Sequence, residues 1–196
     1  MITYYPNYLY SIDLNFLDNK KIFKEVLYTE KYLQKKFKNL QNKKIYGSFS
    51  TSIFEKYNTF QFPLKETSKL YRELVNNIYP FLDKNEDYWL QCWFNVFRKG
   101  ENIDWHKHWE SPDKVWHGFY CVYVEDSFTE YKIPNIENII KVPSKEGRLV
   151  FGKSDGDEHK SSIWEKDTPR ITIAFDIIPY SSLNKNYQDR IYLPFK

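Results

Sequence analysis

The sequence contains little cysteine, which excludes two common ways of stabilising a small fold. Cys92 and Cys121 are the only cysteines among 196 residues, and each lies inside an apolar stretch. A disulfide framework needs more cysteines, and a cysteine metal site needs closer spacing. We therefore expect both to be buried free thiols.

Long apolar runs, internal repeats and nucleic-acid motifs are also missing. No apolar run approaches the roughly 20 residues that a membrane-spanning helix needs. The segment MITYYPNYLYSID lacks a basic region and a small-residue cleavage site, so we expect no secretory signal. The net charge is only +3, and the densest basic run, residues 31–44, follows a pattern that is typical of a solvated helix face. These absences predict a cytoplasmic protein without a membrane or nucleic-acid partner.

Aromatic residues, by contrast, make up 19% of the chain, and its length fits one domain over residues 1–196. Apolar residues recur at helical spacing in the first part of the chain, which predicts a helical support region over residues 1–85. Its predicted elements are a strand at 9–14, a helix at about 20–40 with Asn19 as the N-cap, a strand within YNTFQF and a helix at about 66–82.

Residues 88–178 consist of short β-rich runs that are separated by turn residues. Eight such runs predict a closed or two-sheet antiparallel fold, of which the jelly roll is the commonest small form. The tail, residues 179–196, is predicted to have little structure of its own and to pack across the sheet. The predicted strands are 88–98, 104–109, 115–125, 128–133, 138–142, 148–152, 159–164 and 170–178.

The last predicted strand, RITIAFDII, has two different faces. Side chains alternate across a strand, so residues two apart share a face. One face is apolar and suits packing against the N-terminal helices. The other lines the interior and begins with an arginine, and a charge that faces inward needs a partner. The apolar face consists of Ile171, Ile173, Phe175 and Ile177, and the interior face of Arg170, Thr172, Ala174 and Asp176.

Three of the four histidines are placed to converge. His106 and His108 lie two apart in WHKHW on the second predicted strand, so they share a face. His159 opens the seventh strand, which lies beside the second in an eight-stranded jelly roll, and Arg170 opens the eighth. His117 falls outside this pattern and is interpreted as a polar residue at the entrance of the third strand.

These residue types together predict a metal site beside an anion site. Imidazole suits iron, zinc, copper or nickel, and three protein ligands leave positions open for small molecules. The guanidinium of Arg170 matches a carboxylate through two parallel hydrogen bonds, and Thr172 adds a hydroxyl on the same face. An H-x-H pair alone is common on surfaces, and a lone arginine is usually paired structurally. The predicted metal and anion sites therefore depend on the H-x-H pair occurring together with His159 and Arg170.

Two stretches are similar to motifs of one enzyme superfamily. His106-Lys107-His108 followed by HGFYCV is similar to H-x-H followed by S-G-V-Y-Y-V. The stretch from Pro143 to Phe151, then His159 and RIT at 170–172, is similar to P-x-x-G-x-L-V-x-F, a distal histidine and R-x-S, with Phe151 one position early. Over residues 88–178 the chain therefore resembles the iron(II)- and 2-oxoglutarate-dependent oxygenases, in particular small phage and bacterial members.

The resemblance implies a double-stranded β-helix, mainly β with N-terminal helices, that acts with Fe(II), 2-oxoglutarate and O₂. His106 and His159 would bind iron, and Arg170 would hold the distal carboxylate of 2-oxoglutarate, with Thr172 and Tyr120 completing that site. The implied reaction is hydroxylation of an amino acid, a prolyl-type residue in a peptide or another small molecule, with succinate and CO₂ as coproducts.

The third ligand departs from the family pattern. Most members have Asp or Glu where this chain has His108, so the three predicted ligands are neutral and leave the ion its full +2 charge. Glu110 is an alternative, because His108-Trp109-Glu110 is itself an H-x-E. We prefer His106 and His108 because of their position relative to HGFYCV, with Glu110 as a group that orients an imidazole.

Two other functions also fit the sequence. One is a cupin-like dioxygenase with three histidine ligands and no 2-oxoglutarate, in which Arg170 is structural. The other is a metal-free jelly-roll module that binds a sugar or a protein. Whatever the reaction, we expect one or two aromatic side chains near the site to touch substrate. The candidates are Trp93, Trp105, Trp109, Trp116 and Tyr120.

Overall fold

The computed structural model describes residues 1–36, 47–109, 114–183 and 190–196, which contain three α-helices and ten β-strands. The helices are α1 (Asn19–Lys36), α2 (Phe49–Phe54) and α3 (Ser68–Ile78). The strands are β1 (Ile2–Tyr5), β2 (Leu9–Asp13), β3 (Tyr88–Phe97), β4 (Val115–Tyr123), β5 (Phe128–Lys132), β6 (Ile140–Pro143), β7 (Arg148–Ser154), β8 (Glu158–Ser161), β9 (Arg170–Pro179) and β10 (Leu193–Phe195).

The strands form two antiparallel sheets that pack against each other. The larger sheet has the order β1-β2-β7-β4-β9-β3-β10, and the smaller has the order β6-β5-β8. Apolar side chains of β4, β7 and β9 meet Tyr131 and Val142 of the smaller sheet in a core between the sheets. The helices cover the other face of the larger sheet. This arrangement confirms the predicted jelly roll with N-terminal helices.

Strand β9 lies between β4 and β3, and all ten of its residues are buried. Its apolar face joins the core that contains Val26 of α1 and Leu74 of α3. Its other face lines an interior cavity with Arg170, Thr172 and Asp176. The predicted division of this strand into a helix-facing side and an interior side is confirmed.

The two long helices lie close to their predicted positions, because each buries an apolar face at helical spacing. The cap of α1 differs from the prediction. The carboxylate of Asp18, rather than Asn19, accepts the backbone N–H of Lys21 at 3.1 Å. The predicted end of this helix near residue 40 lies outside the described residues. No helix of the described ranges is long and apolar enough to cross a membrane.

The prediction of a continuous strand at 104–109 is wrong. This segment meets β8 through one isolated pair, in which the N–H groups of His106 and His159 donate to each other's carbonyl oxygens at 3.1 and 2.9 Å. The carboxylate of Asp104 accepts the N–H of Trp105 at 2.8 Å. Such local side-chain bonds compete with regular strand pairing. The isolated pair still brings His106 beside His159, as the sequence predicts.

The strand predicted in YNTFQF is wrong for a similar reason. Buried Asn58 accepts the N–H of Phe60 at 3.2 Å and donates to the carbonyl oxygen of Leu90 at 2.8 Å, so it caps a 3₁₀ turn over Thr59–Gln61. The tail also differs from the prediction, because β10 adds an edge strand to β3. Strand β1, at the opposite edge, has no counterpart in the prediction.

Gly118 allows β4 and β7 to approach closely. A Cβ atom at this position would lie 2.2 Å from the carbonyl oxygen of Val150 and 2.9 Å from Cα of Phe151. Both contacts are with backbone, which cannot turn away as a flexible side chain can. The glycine of HGFYCV is therefore a packing requirement.

Replacing Gly118 by Ala should lower the free energy of unfolding by about 3 kcal/mol, because overpacking here must separate two strands. Chemical denaturation checks this. Gly100→Ala is the control, because a Cβ there meets nothing within 4 Å and only the φ of +81° opposes it, at about 1–2 kcal/mol. Equal losses in the two variants would contradict the steric explanation.

Candidate functional site

The interior faces of the two sheets enclose a cavity of about 340 Å³. Every second residue from Arg170 to Asp176 on β9 lines it, and so does every second residue from Gln91 to Phe97 on the neighbouring strand β3. The two strands are paired so that Arg170 lies opposite Phe97 and Asp176 lies opposite Gln91. The cavity therefore extends along this pair of strands, with Arg170 at one end and Asp176 at the other.

The histidines gather near the Asp176 end of the cavity. The ring centroids of His106 and His159 are 4.3 Å apart, and those of His108 and His159 are 5.1 Å apart. One ring nitrogen from each of these three residues lies within 4.8 Å of the others. The structure thus brings together the three histidines that were predicted to converge. Glu110, the alternative, lies outside the described residues.

The hydrogen bonds of two of these rings leave lone pairs that face each other. Nδ1 of His106 lies 2.8 Å from the carbonyl oxygen of Asp104, and Nδ1 of His108 lies 2.8 Å from Oδ1 of Asp176. Both partners are acceptors, so each Nδ1 carries a proton, and a ring in its neutral form then has a bare Nε2. The two Nε2 atoms are 3.3 Å apart. Two lone pairs cannot bond to each other, so this arrangement fits a cation held between them.

Burial keeps at least two of the rings neutral. Burial, with a smaller effect of His108, lowers the pKa of His106 to about 4. Burial also lowers the pKa of His159 well below its usual range. Neutral imidazole is the form that binds metal ions. The donor set therefore suits a divalent transition metal such as iron.

His117 and Asp157 form the part of this site that sequence reasoning missed. His117 is buried within β4, with its ring centroid 5.0 Å from that of His159, so its interpretation as a polar residue outside the pattern is corrected. Its Nε2 lies 3.3 Å from Oδ2 of the fully buried Asp157. Burial lowers the pKa of His117, but the Asp157 carboxylate outweighs this effect and raises the pKa overall.

Asp157 also lies close to His159, which belongs to the three-histidine group. Its Oδ2 is 3.7 Å from Nδ1 of His159. His117, Asp157 and His159 therefore form a second group whose ligand atoms lie within 4.8 Å of one another. This group has two histidines and one carboxylate, the composition of many non-heme iron sites. Asp157 does not line the cavity, however, so the three-histidine group is the one that faces it.

The far end of the cavity is cationic. Arg170 is 3% exposed, and its Nε donates to Oγ of Ser127 at 3.3 Å. It forms no ion pair with any carboxylate among the described residues, and burial lowers its pKa. Thr172, on the same face, accepts a hydrogen bond from the side chain of Asn95 at 3.4 Å. Arg170 and Thr172 therefore both face the cavity, as the sequence predicts.

Tyr120 is not brought to the cavity. Phe119 and Cys121 face the interior, so the alternation of β4 turns Tyr120 toward the helices. Its hydroxyl donates to Oδ1 of Asn19 at 2.7 Å. Of the four tryptophans predicted as candidates for substrate contact, two line the cavity and two do not. Trp93 and Trp109 line it, Trp105 lies under the ammonium groups of Lys132 and Lys160, and Trp116 packs near Phe81 and Phe151.

No protein-family model matches the chain, and no curated protein matches it. Several solved structures resemble it. A prolyl-4-hydroxylase from Pseudomonas putida matches with a TM-score of 0.56 and 11% identity over 88% of this chain and 93% of that one. The viral collagen prolyl hydroxylase of Paramecium Bursaria Chlorella virus-1, in its 2OG complex, matches with a TM-score of 0.53 and 14% identity over 88% and 96%.

A third structure, the non-heme alpha ketoglutarate dependent epimerase SnoN from nogalamycin biosynthesis, has a TM-score of 0.57 and 11% identity over 88% of this chain and 76% of that one. The chain has the fold of these enzymes. The predicted double-stranded β-helix is therefore confirmed. Because the three are named for two different reactions, the fold alone does not select the reaction of this chain.

Replacing His159 by Ala should abolish tight Fe²⁺ binding, because it removes one of three ligands. The loss should exceed the roughly 10- to 100-fold that removal of a group behind a ligand causes. Anaerobic titration calorimetry measures it. Tyr120→Phe is the matched control and should leave the affinity unchanged, because this side chain lies outside the cavity. Tight, stoichiometric iron in His159→Ala would contradict the site.

Proposed function

We propose that this protein is an Fe(II)- and 2-oxoglutarate-dependent oxygenase. The proposed reaction uses O₂ to hydroxylate an amino acid, a prolyl-type residue in a peptide or another small molecule, with succinate and CO₂ as coproducts. The support is a single cavity that has a buried guanidinium at one end and converging histidines at the other. Structures of the same fold include hydroxylases named for prolyl substrates.

The observation that carries the proposal is the buried charge of Arg170. A buried ion without a counter-charge costs several kcal/mol, so the site favours a ligand that brings a negative group. A carboxylate fits best, because it accepts two parallel hydrogen bonds from the guanidinium. A dicarboxylate such as 2-oxoglutarate can place one end on Arg170 and extend the other toward the histidines.

The residues that line the cavity would have different roles in the proposed reaction. His106, His108 and His159 would hold the iron, which supplies the oxygen chemistry when it is bound. Arg170 and Thr172 would orient the distal carboxylate of 2-oxoglutarate. Trp93 also lines the cavity, where its apolar surface would exclude water from the reacting groups.

The three-histidine ligand set also favours a second candidate. A cupin-like dioxygenase would use the same iron site without 2-oxoglutarate, and Arg170 would then have only a structural role. The two candidates differ in one property that can be measured, the dependence of 2-oxoglutarate affinity on Arg170.

Arg170→Ala should weaken 2-oxoglutarate binding to the Fe²⁺-loaded protein by roughly 3–5 kcal/mol, because one half of a buried charge pair is removed. Iron affinity should be retained, since the guanidinium is not a metal ligand. Anaerobic calorimetry with Fe²⁺ and then 2-oxoglutarate measures both. Arg72→Ala, which removes an exposed arginine of α3, is the control and should change neither affinity.

The other results separate the candidates. If 2-oxoglutarate affinity is the same in Arg170→Ala and in the wild type, or if the wild type binds iron but no 2-oxoglutarate, the three-histidine dioxygenase is favoured. If the wild type binds no iron at all, a metal-free jelly-roll binding module remains.

A further inference from the structure

The carboxylate of Asp176 lies directly behind one of the three histidines. We propose that Asp176 is a positioning residue that supplies, through His108, the negative charge that an acidic ligand would otherwise bring to the metal. This inference rests on the proposed function, because it takes His106, His108 and His159 as the ligands.

The contacts of Asp176 fix both of its oxygens. It is 1% exposed and lies on the interior face of β9. Oδ1 accepts the Nδ1–H of His108 at 2.8 Å, and Oδ2 accepts the indole N–H of Trp109 at 3.1 Å. The bond to His108 holds the ring with Nε2 toward His106, which is the orientation a ligand needs.

The hydrogen bonds of Asp176 favour its ionised form. Each of its two oxygens accepts an N–H, from His108 and from Trp109, and accepted hydrogen bonds stabilise a carboxylate. An imidazole that donates to a carboxylate is a more basic ligand than one that donates to a neutral group. The negative charge of Asp176 would therefore act on the metal through the imidazole of His108.

The three histidines differ in the group that lies next to Nδ1 of each ring. Nδ1 of His106 bonds to a neutral backbone carbonyl. His159 lies 3.7 Å from a carboxylate that is closer, at 3.3 Å, to His117. Among the residues that the structure describes, His108 is the only one of these three ligands with a short hydrogen bond to a carboxylate. A set of two histidines and one carboxylate carries one negative charge, and His108 with Asp176 restores that charge to a set of three histidines.

The first test compares the anaerobic Fe²⁺ affinity of the wild type, Asp176→Asn and Asp155→Asn. Asp176→Asn should bind Fe²⁺ about 10- to 100-fold more weakly, because the amide keeps the size of the side chain but not its charge. Asp155→Asn is the matched control. It removes an exposed acid in the turn between β7 and β8 and should leave the affinity unchanged.

The second test asks whether the effect of Asp176→Asn on Fe²⁺ affinity changes sign when His108 is replaced by an acid. His108→Asp places an acidic group directly in the ligand set, next to the carboxylate of Asp176. The charge behind the ligand is then a source of repulsion, so adding Asp176→Asn to His108→Asp should raise Fe²⁺ affinity. The double variant has one carboxylate at these two positions where His108→Asp alone has two, so it remains informative if Asp176→Asn alone does not fold. A merely structural Asp176 predicts a lower affinity in both backgrounds.

The outcomes are distinguishable from a failure of the proposed function. A wild type that binds no Fe²⁺ overturns both. A wild type that binds Fe²⁺, with unchanged affinity in Asp176→Asn, overturns only the role of Asp176. A loss of affinity in both backgrounds also overturns it. A loss in the wild-type background together with a gain in His108→Asp supports it.

Discussion

The alternation of side chains along β9 is the constraint on which both the core and the site depend. One face of this strand packs with the helices, and the other places Arg170, Thr172 and Asp176 in the cavity. A shift of its pairing by one residue would exchange the two faces. The apolar contacts with the helices therefore hold the register that points a guanidinium and a carboxylate inward. Stability and site geometry come from the same strand.

The cavity is electrically divided along its length. Arg170 makes one end attractive to anions, while Asp176 and Asp157 place negative charge behind the histidines at the other end. Imidazole nitrogens with carboxylates behind them favour a cation, so the two ends together suit a metal ion and an anionic ligand. Because both ends are buried, these charges act at short range with little screening by water.

Sequence periodicity predicted those parts of the fold and site that depend on strand alternation. The two faces of β9 and the meeting of His106 with His159 follow from a period of two and from strand order. The same rule applied to β4 finds His117, because it shares a face with Phe119, and excludes Tyr120, which does not. Asp157 lies two residues before His159 and directly before β8, so its spacing from His159 was visible in the sequence.

Local side-chain bonds account for most of the rest. The side chains of Asn58 and Asp104 each accept a hydrogen bond from backbone that was predicted to be in a strand. Such local hydrogen bonds produce no periodic pattern in the sequence. The contact between Asp176 and His108 joins residues 68 positions apart. The sequence places Asp176 on the interior face, but only the folded register shows which histidine it meets.

The most direct test of the account is an anaerobic visible spectrum of the Fe²⁺-loaded protein before and after 2-oxoglutarate is added. We expect a new charge-transfer band when the cosubstrate binds, since iron and anion would share one cavity. A spectrum that stays unchanged while iron is bound stoichiometrically would contradict it.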